Sequence, residues 1–127
     1  MTQEQHHVGL IKGISEQFKP ILEKSGQAIY IYLDDTHKTC NKNFATLVGY
    51  KSVKEWVAME TPLDDVDEAS QPAVVSAYGN ATEKLIASSL NIKVKNKTTG
   101  ELIKARMIMV PIAYEGHVLA LHFVSRT

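Results

Sequence analysis

The last third of the chain most constrains the fold, because three extended segments follow one another there across two short glycine-containing turns. In the first segment, isoleucine and valine alternate with lysine, which is typical of a strand with one face in solvent. Short glycine turns between such segments predict β-hairpins. The three segments are residues 91–97, 102–113 and 117–124, and the turns are Thr98-Thr99-Gly100 and Tyr114-Glu115-Gly116.

The first 25 residues predict an amphipathic helix. Ile11, Ile14, Phe18 and Ile21 recur at spacings of three and four residues, which places them on one stripe. Pro20 lacks an amide donor and clashes with the preceding turn, so we expect a kink or break there.

Residues 27–33 predict a strand that is covered on both sides. Ile29, Ile31 and Leu33 alternate with Tyr30 and Tyr32, so both faces are apolar or amphipathic. A turn at residues 34–36 and a short return strand at 37–40 follow.

The middle of the chain predicts three helices. Asn41 is a good N-cap for the first helix, which Gly49 ends. Ser52 and Glu55 have capping-box spacing for the second, with Trp56 on its buried face. The third is predicted over residues 70–89. The whole order is therefore helix, two strands, three helices and three strands.

That order over residues 27–126 resembles a PAS domain. Asn41, Phe44 and Gly49-Tyr50 are similar to the "N…F…GY" signature of that family, and residues 61–65 resemble its "HPDD" element, with Thr61 where histidine is usual. The resemblance implies an α+β fold, with a five-stranded antiparallel sheet and helices on one face. It divides the chain into an N-terminal helical segment, 1–26, that covers the sheet or dimerises, and a PAS domain, 27–127.

Composition argues against several partners. Lysine plus arginine and aspartate plus glutamate both number 14, so the net charge is zero. We therefore expect no nucleic-acid partner and no attraction to an acidic membrane surface. The single Cys40 excludes an internal disulfide, and the polar N-terminus is unlike a secretory signal. We expect a cytoplasmic protein.

No cofactor is predicted. The flavin-binding members of the family carry Asn-Cys-Arg-Phe-Leu on a helix, whereas here Cys40 precedes Asn41 at a strand end. Haem-binding members usually take an axial histidine from the long helix, and residues 70–89 contain none. Flavin and haem are both disfavoured, and the cofactor stays unknown.

No metal site is predicted. His6 and His7 are adjacent at a helix terminus that we expect to fray, and their side chains diverge by about 100° on a helix. His117 and His122 fall on opposite faces of a strand. The acidic group that includes Asp65 lacks the spacing of a calcium loop and is interpreted as helix N-terminal acids.

A small-molecule pocket and a homodimer interface are the predicted sites. The stripe of the N-terminal helix is expected either to cover Tyr30 and Tyr32 or to pair with a second chain. Pocket candidates are Cys40, Phe44, Trp56, Tyr78, Leu85, Met107, Met109 and His122. Dimer-interface candidates are Ile11, Ile14, Phe18, Ile21, Tyr30 and Tyr32.

The predicted function is that of a PAS-like sensory or signal-transduction domain. It would bind a small ligand, another protein or both, without catalysis. Because no output domain follows in the sequence, we expect a signalling partner in trans or a fragment of a larger sensor. One alternative is a ketosteroid-isomerase-like enzyme that uses Asp34 or Asp35 with a tyrosine, although that fold places its helices before most strands. The other is a ligand-free dimerisation scaffold.

Overall fold

The computed structural model describes residues 2–127, and its element order is the predicted one. Two short 3₁₀ turns, Pro62–Asp65 and Glu68–Ser70, connect the fourth and fifth helices. The helices are α1 (Gln3–Gln17), α2 (Lys19–Lys24), α3 (Lys42–Leu47), α4 (Val53–Ala58) and α5 (Gln71–Lys84). The strands are β1 (Ala28–Asp34), β2 (His37–Cys40), β3 (Ser88–Lys95), β4 (Leu102–Tyr114) and β5 (His117–Arg126).

The five strands form one antiparallel sheet in the order β2-β1-β5-β4-β3. Both late hairpins are present, with Tyr114 opposite His117 at the second turn. Strand β1 is an interior strand, between β2 and β5, and both of its faces are apolar because Phe44 of α3 packs on one face and Ile14 of α1 on the other. The predicted fold class is therefore confirmed.

The inner face of the sheet packs against α3, α4 and α5 around an aromatic cluster. The ring centroids of Tyr30 and Phe44 are 4.5 Å apart, and Trp56 lies 5.1 Å from Phe44, edge to face. Trp56 and Met107 are fully buried in the same core. Offset and edge-to-face contacts of this kind add to the free energy of burial.

The outer face carries α1, and here one prediction is wrong. Ile14 packs against Ile29, Ile31, Leu119 and Leu121, not over the tyrosines of β1. Tyr30 and Tyr32 belong to the inner core, which removes them from the outer surface where a dimer interface was expected. The sequence could not choose between the faces because both faces of β1 are apolar.

The predicted break in the N-terminal helix is confirmed at Phe18. Pro20 lies in the first turn of α2, where its missing amide donor costs nothing. After the break Ile21 is exposed, so it leaves the buried stripe, whereas Ile14 is fully buried within its own chain.

Helix α5 ends five residues before its predicted end, and this displaces one pocket candidate. Leu85 follows the helix with φ 57°, in the left-handed region, and is 61% exposed. Strand β3 begins at Ser88, which pairs with Met109, so the chain must reverse within three residues. Leu85 therefore lies outside the pocket, contrary to prediction.

Candidate functional site

A cleft of about 260 Å³ opens between α5, the first 3₁₀ turn and the inner face of the sheet. Its inner end is formed by β1, β4 and β5, and its mouth by the turn after β1 and by α5. The lining residues are Tyr30, Tyr32, Asp35, Pro62, Leu63, Val66, Val74, Val75, Tyr78, Met109 and His122.

His122 is the unusual side chain of this cleft. It is 2% exposed, and its ring stacks on that of Tyr30 at 3.8 Å between centroids, with an angle of 8° between the planes. Burial lowers the pKa of His122 to about 3, although the nearby backbone groups of Tyr30 and Ala120 oppose this shift. The imidazole is therefore neutral at physiological pH.

The Nδ1 atom of His122 is buried and no group of residues 2–127 meets hydrogen-bonding geometry with it. The close backbone of Tyr30 and Ala120 affects its pKa without satisfying this atom. An unpaired buried nitrogen costs about 1–3 kcal/mol of stability, so such groups are rare in native proteins. His122 lines the cleft, but Nδ1 itself is closed off from solvent, so a ligand would reach this atom only if the Tyr30–His122 stack shifts.

Two further tyrosines form the polar part of the mouth. Tyr78 donates a hydrogen bond from its hydroxyl to the carbonyl of Leu33 (3.1 Å), and Tyr32 donates one to the carboxylate of Asp35. The rings of Tyr32 and Tyr78 meet edge to face at 5.3 Å. Burial raises the pKa of both phenols, and so does the neighbouring Asp35. Both hydroxyls therefore stay protonated and already have partners.

A buried carboxylate supports the cleft from behind. Asp65 accepts hydrogen bonds from the hydroxyl of Tyr50 (2.8 Å) and from Nε1 of Trp56 (3.1 Å). Burial raises the pKa of Asp65 to about 6, while these two hydrogen bonds oppose the shift. Asp65 does lie in the first turn of a 3₁₀ helix, in line with its interpretation as a helix N-terminal acid, but its buried carboxyl also holds α4 and this turn together, which was not predicted.

A second buried ionisable group, Lys38, was not singled out from the sequence. It is 1% exposed, and its Nζ donates to the backbone carbonyls of Asp35 (2.7 Å), Val57 (3.0 Å) and Met59. Burial lowers the pKa of Lys38, and nearby carboxylates limit this effect. Three carbonyl acceptors satisfy the ammonium group, so its role is to fix the end of α4 against β2.

At the β1–β2 turn, next to the mouth of the cleft, histidines from distant parts of the chain meet. His7 on α1 lies beside Asp34 and His37 at the β1–β2 turn, and one ligand atom from each falls within 4.8 Å of the others. Next to them, Nε2 of His6 and Nε2 of His117 are 3.0 Å apart. The sequence signals nothing here, since these positions come together only when the helix docks on the sheet.

The start of α1 is also more ordered than predicted. Thr2 and Gln5 form a reciprocal capping box, in which each side chain accepts a hydrogen bond from the backbone of the other. These contacts favour an ordered terminus, whereas expected fraying was one of the two reasons to discount His6 and His7.

Solved structures share this architecture. No protein-family model matches the sequence, and no curated protein matches it. A PAS domain of a protein from Colwellia psychrerythraea superposes with a TM-score of 0.68 at 23% identity, covering 90% of this chain and 97% of that one. The PAS domain of an HTR-like protein from Haloarcula marismortui gives 0.65 at 15% identity, covering 97% and 99%. A PAS domain from a two-component sensor histidine kinase gives 0.67 at 13% identity, covering 91% and 99%.

The chain has the PAS fold. The signature residues of that fold have clear physical roles here. Asn41 Oδ1 accepts hydrogen bonds from the amides of Ile29 and Phe44, both at 3.0 Å, and its Nδ2 donates to the carbonyl of Gln27 (2.8 Å). Asn41 thus joins β1 to the start of α3. Gly49 has φ +85°, and a Cβ there would lie 2.8 Å from a backbone nitrogen of the next hairpin, so only glycine fits.

Apart from the exposed Leu85, the pocket candidates divide into two groups within the PAS fold. Tyr78, Met109 and His122 line the cleft. Cys40, Phe44, Trp56 and Met107 lie in the packed core and do not line it. Tyr30 also lines the cleft, although it was predicted as a dimer-interface residue. Its alternation with Ile29 and Ile31 was the available sequence signal.

The side chains around the PAS cleft do not fit a photoactive flavin or an axially ligated haem. Cys40 ends β2 rather than lying on a helix, and burial raises the pKa of its thiol to about 12, so it is not a ready thiolate. Helix α5 offers no histidine to an iron, and the cleft is small beside the 300–1,000 Å³ or so of common cofactor sites.

Within residues 2–127, no helix has both the length and the apolar character needed to cross a membrane.

Proposed function

We propose that this chain is a sensory domain with the PAS fold that detects a compact, uncharged heteroaromatic molecule in the cleft beside His122. The observation that carries the proposal is that His122 lines the cleft while its Nδ1, closed off from solvent behind the ring stack, has no partner within residues 2–127. A ligand with one hydrogen-bonding group would satisfy it.

The size of the cleft limits the ligand. An apolar cavity of about 150 Å³ accommodates benzene, whereas drug-sized ligands occupy about 300–1,000 Å³. At about 260 Å³, the cleft suits a molecule of one or two rings.

The chemistry of the walls limits it further. Most lining side chains are aliphatic or aromatic, including Val74, Leu63 and Met109. The rim carboxylate of Asp35 already accepts from Tyr32, and no lysine or arginine lines the cleft. An uncharged ligand with aromatic faces against the tyrosines meets these conditions, because a charged one would lose hydration without gaining a partner.

The position of the cleft suggests how occupancy reaches the rest of the molecule. Tyr30 and His122 lie on the inner faces of β1 and β5, opposite each other in the register. Their neighbours Ile29 and Leu121 point to the outer face and contact the cluster that holds α1. A ligand that displaces the Tyr30–His122 stack would therefore alter the surface on which α1 packs.

Output through α1 is part of the proposal. We infer a non-enzymatic cytoplasmic module that acts as a homodimer or on a signalling protein in trans. Ile21 on α2 remains exposed and is available for such a contact, whereas Ile14 is buried within its own chain. Sedimentation velocity of the purified protein over a range of concentrations tests the dimer, and a monomer at all concentrations contradicts it.

Native mass spectrometry and NMR test the ligand. We expect either a retained small molecule in the purified protein or, with indole and related one- and two-ring heteroaromatics as probes, shifts of amide signals around the cleft. In H122F, which keeps an aromatic ring but removes both ring nitrogens, affinity for such a probe should fall roughly 10-fold, the value of one hydrogen bond. The Tyr114→Phe variant on the outer face is the matched control and should bind as the wild type does.

The opposite result has a clear meaning. If the protein carries no retained mass and none of the probes shifts signals of the cleft, the ligand-free dimerisation scaffold is the better interpretation. Equal affinity of H122F and wild type would remove His122 from the proposal.

A further inference from the structure

The cluster at the N-terminal end of α1 has the composition of a transition-metal site. None of its three residues lines the cleft, although Asp34 is next to Asp35 at the cleft mouth. The cluster contains His7, Asp34 and His37, which come from three different elements or element ends. Imidazole and carboxylate are good ligands for zinc and its neighbours in the first transition row.

The distances support simultaneous coordination. Nδ1 of His7 lies 3.6 Å from Asp34 Oδ2, and Nδ1 of His37 lies 2.7 Å from Asp34 Oδ1. Ligand atoms bound to one zinc at about 2.0–2.1 Å are themselves about 3 Å apart, so only small side-chain movements are needed. His7 and Asp34 are partly exposed, which gives an ion access from solvent.

A supporting residue is already in place. Nε2 of His37 donates to a carboxylate oxygen of Glu4 at 2.9 Å, and Nδ1 hydrogen-bonds with Asp34 Oδ1, so a metal ion would take the place of the proton between these two atoms. Metal-bound histidines usually donate their second N–H to a carboxylate in this way, which fixes the ring and strengthens the ligand. The Glu4 carboxylate, the His37 ring and the candidate metal position thus follow one another in a row.

Hydrogen bonds from backbone amides hold the turn that carries Asp34 and His37. Asp34 Oδ1 accepts hydrogen bonds from the amides of Thr36 (3.0 Å) and His37 (2.8 Å). This leaves Oδ2, the oxygen nearer His7, without such a turn contact. The second pair, His6 and His117, lies beside the cluster, with the rings of His7 and His117 5.6 Å apart.

We propose that His7, Asp34 and His37 bind one divalent transition-metal ion of the zinc type, with Glu4 as the residue that orients His37. Since His7 comes from α1 and the other two ligands from the β1–β2 turn, the ion links the helix to the sheet. Metal occupancy and the docking of α1 are then thermodynamically coupled.

Isothermal titration with zinc chloride, on protein first freed of metal with EDTA, tests this. We expect one zinc per chain. Cobalt(II) as a second probe should give visible absorption bands of a four- or five-coordinate ion. The variants H7Q and D34N should lose binding, and D34N keeps an oxygen that can accept the turn hydrogen bonds. E4Q leaves all three ligands and should weaken binding roughly 10–100-fold, as for other supporting carboxylates.

The control separates this site from general binding by histidine pairs. H6Q removes the neighbouring histidine contact but none of the three ligands, and it should keep one zinc per chain. Circular dichroism in EDTA confirms that each variant is folded. Absence of zinc binding by the wild type overturns the proposal, and so does undiminished binding by both H7Q and D34N.

Discussion

Single polar residues inside this protein are stabilised in different ways. Lys38 is satisfied by three backbone carbonyls, and Asp65 by a tyrosine and a tryptophan. His122 instead remains neutral and stacked on Tyr30, with one nitrogen unpaired. Burial therefore opposes ionisation most clearly at His122, and this has a measurable effect on stability.

The stability of the wild type relative to H122F should fall as the solution is acidified. The folded pKa of His122 is about 3 and the unfolded value about 6.5, so below pH 6.5 only the unfolded chain takes up this proton. The stability of the wild type relative to H122F is therefore highest above the unfolded pKa, and it is lost progressively as the pH falls toward 3. Between pH 7 and pH 5 the difference should change by about 2 kcal/mol.

Urea denaturation of both proteins at several pH values measures this change. Groups that titrate in both, including Asp65 with its raised pKa, cancel in the comparison. A pH-independent difference between the two proteins would show that His122 is protonated equally in the folded and unfolded states.

At the scale of elements, short helices are held by their ends. The six-residue helices α3 and α4 begin at Asn41 and Ser52, whose side chains accept from the amides of Phe44 and Glu55. Both caps were predicted from the sequence because an N-cap depends on local residues. The end of α5 was not, because Leu85 takes a conformation there that favours glycine.

Replacement of Leu85 by glycine should stabilise the protein. A left-handed conformation costs a side-chain-bearing residue about 1–2 kcal/mol, and the exposed Leu85 contributes little buried surface in return. After the entropy cost of glycine, we expect a gain of about 0.5–1 kcal/mol. Thermal denaturation followed by circular dichroism measures it.

Ile86→Gly is the matched control. Ile86 is also exposed but does not have a positive φ, so glycine there should lower stability by about 0.5–1 kcal/mol. Equal effects of the two substitutions would mean that the backbone conformation at Leu85 is not strained.

At the scale of the whole molecule, the sheet separates two apolar clusters. The inner cluster contains the cleft and α3 to α5, and the outer one holds α1 through Ile14, Ile29 and Leu121. Because β1 and β5 contribute to both, we expect the N-terminal helix to unfold together with the rest of the molecule.

Ile14→Ala should therefore destabilise the whole protein, not only the helix. Truncation of a fully buried isoleucine costs about 2–5 kcal/mol, and the loss should appear in a single cooperative unfolding transition. Val8→Ala, on the exposed side of α1, should change stability by less than about 0.5 kcal/mol. If Ile14→Ala released α1 in a separate early transition, the helix would be an independent unit.

The sequence by itself determined the features that depend on near neighbours. Alternation along 91–124 gave the late hairpins, the stripe of α1 and Pro20 gave the broken helix, and Asn41 with Gly49 located α3. Periodicity and capping act within a few residues, so they can be read locally.

Only the tertiary structure decided which face of β1 points inward, because Ile29 and Tyr30 are both apolar enough for burial. It also decided that Asp65 is buried, and that His7 meets Asp34 and His37. These outcomes depend on how α1 and the 3₁₀ turn pack against the sheet. Such packing brings together positions that are far apart in the chain, so these contacts cannot be predicted from local sequence patterns.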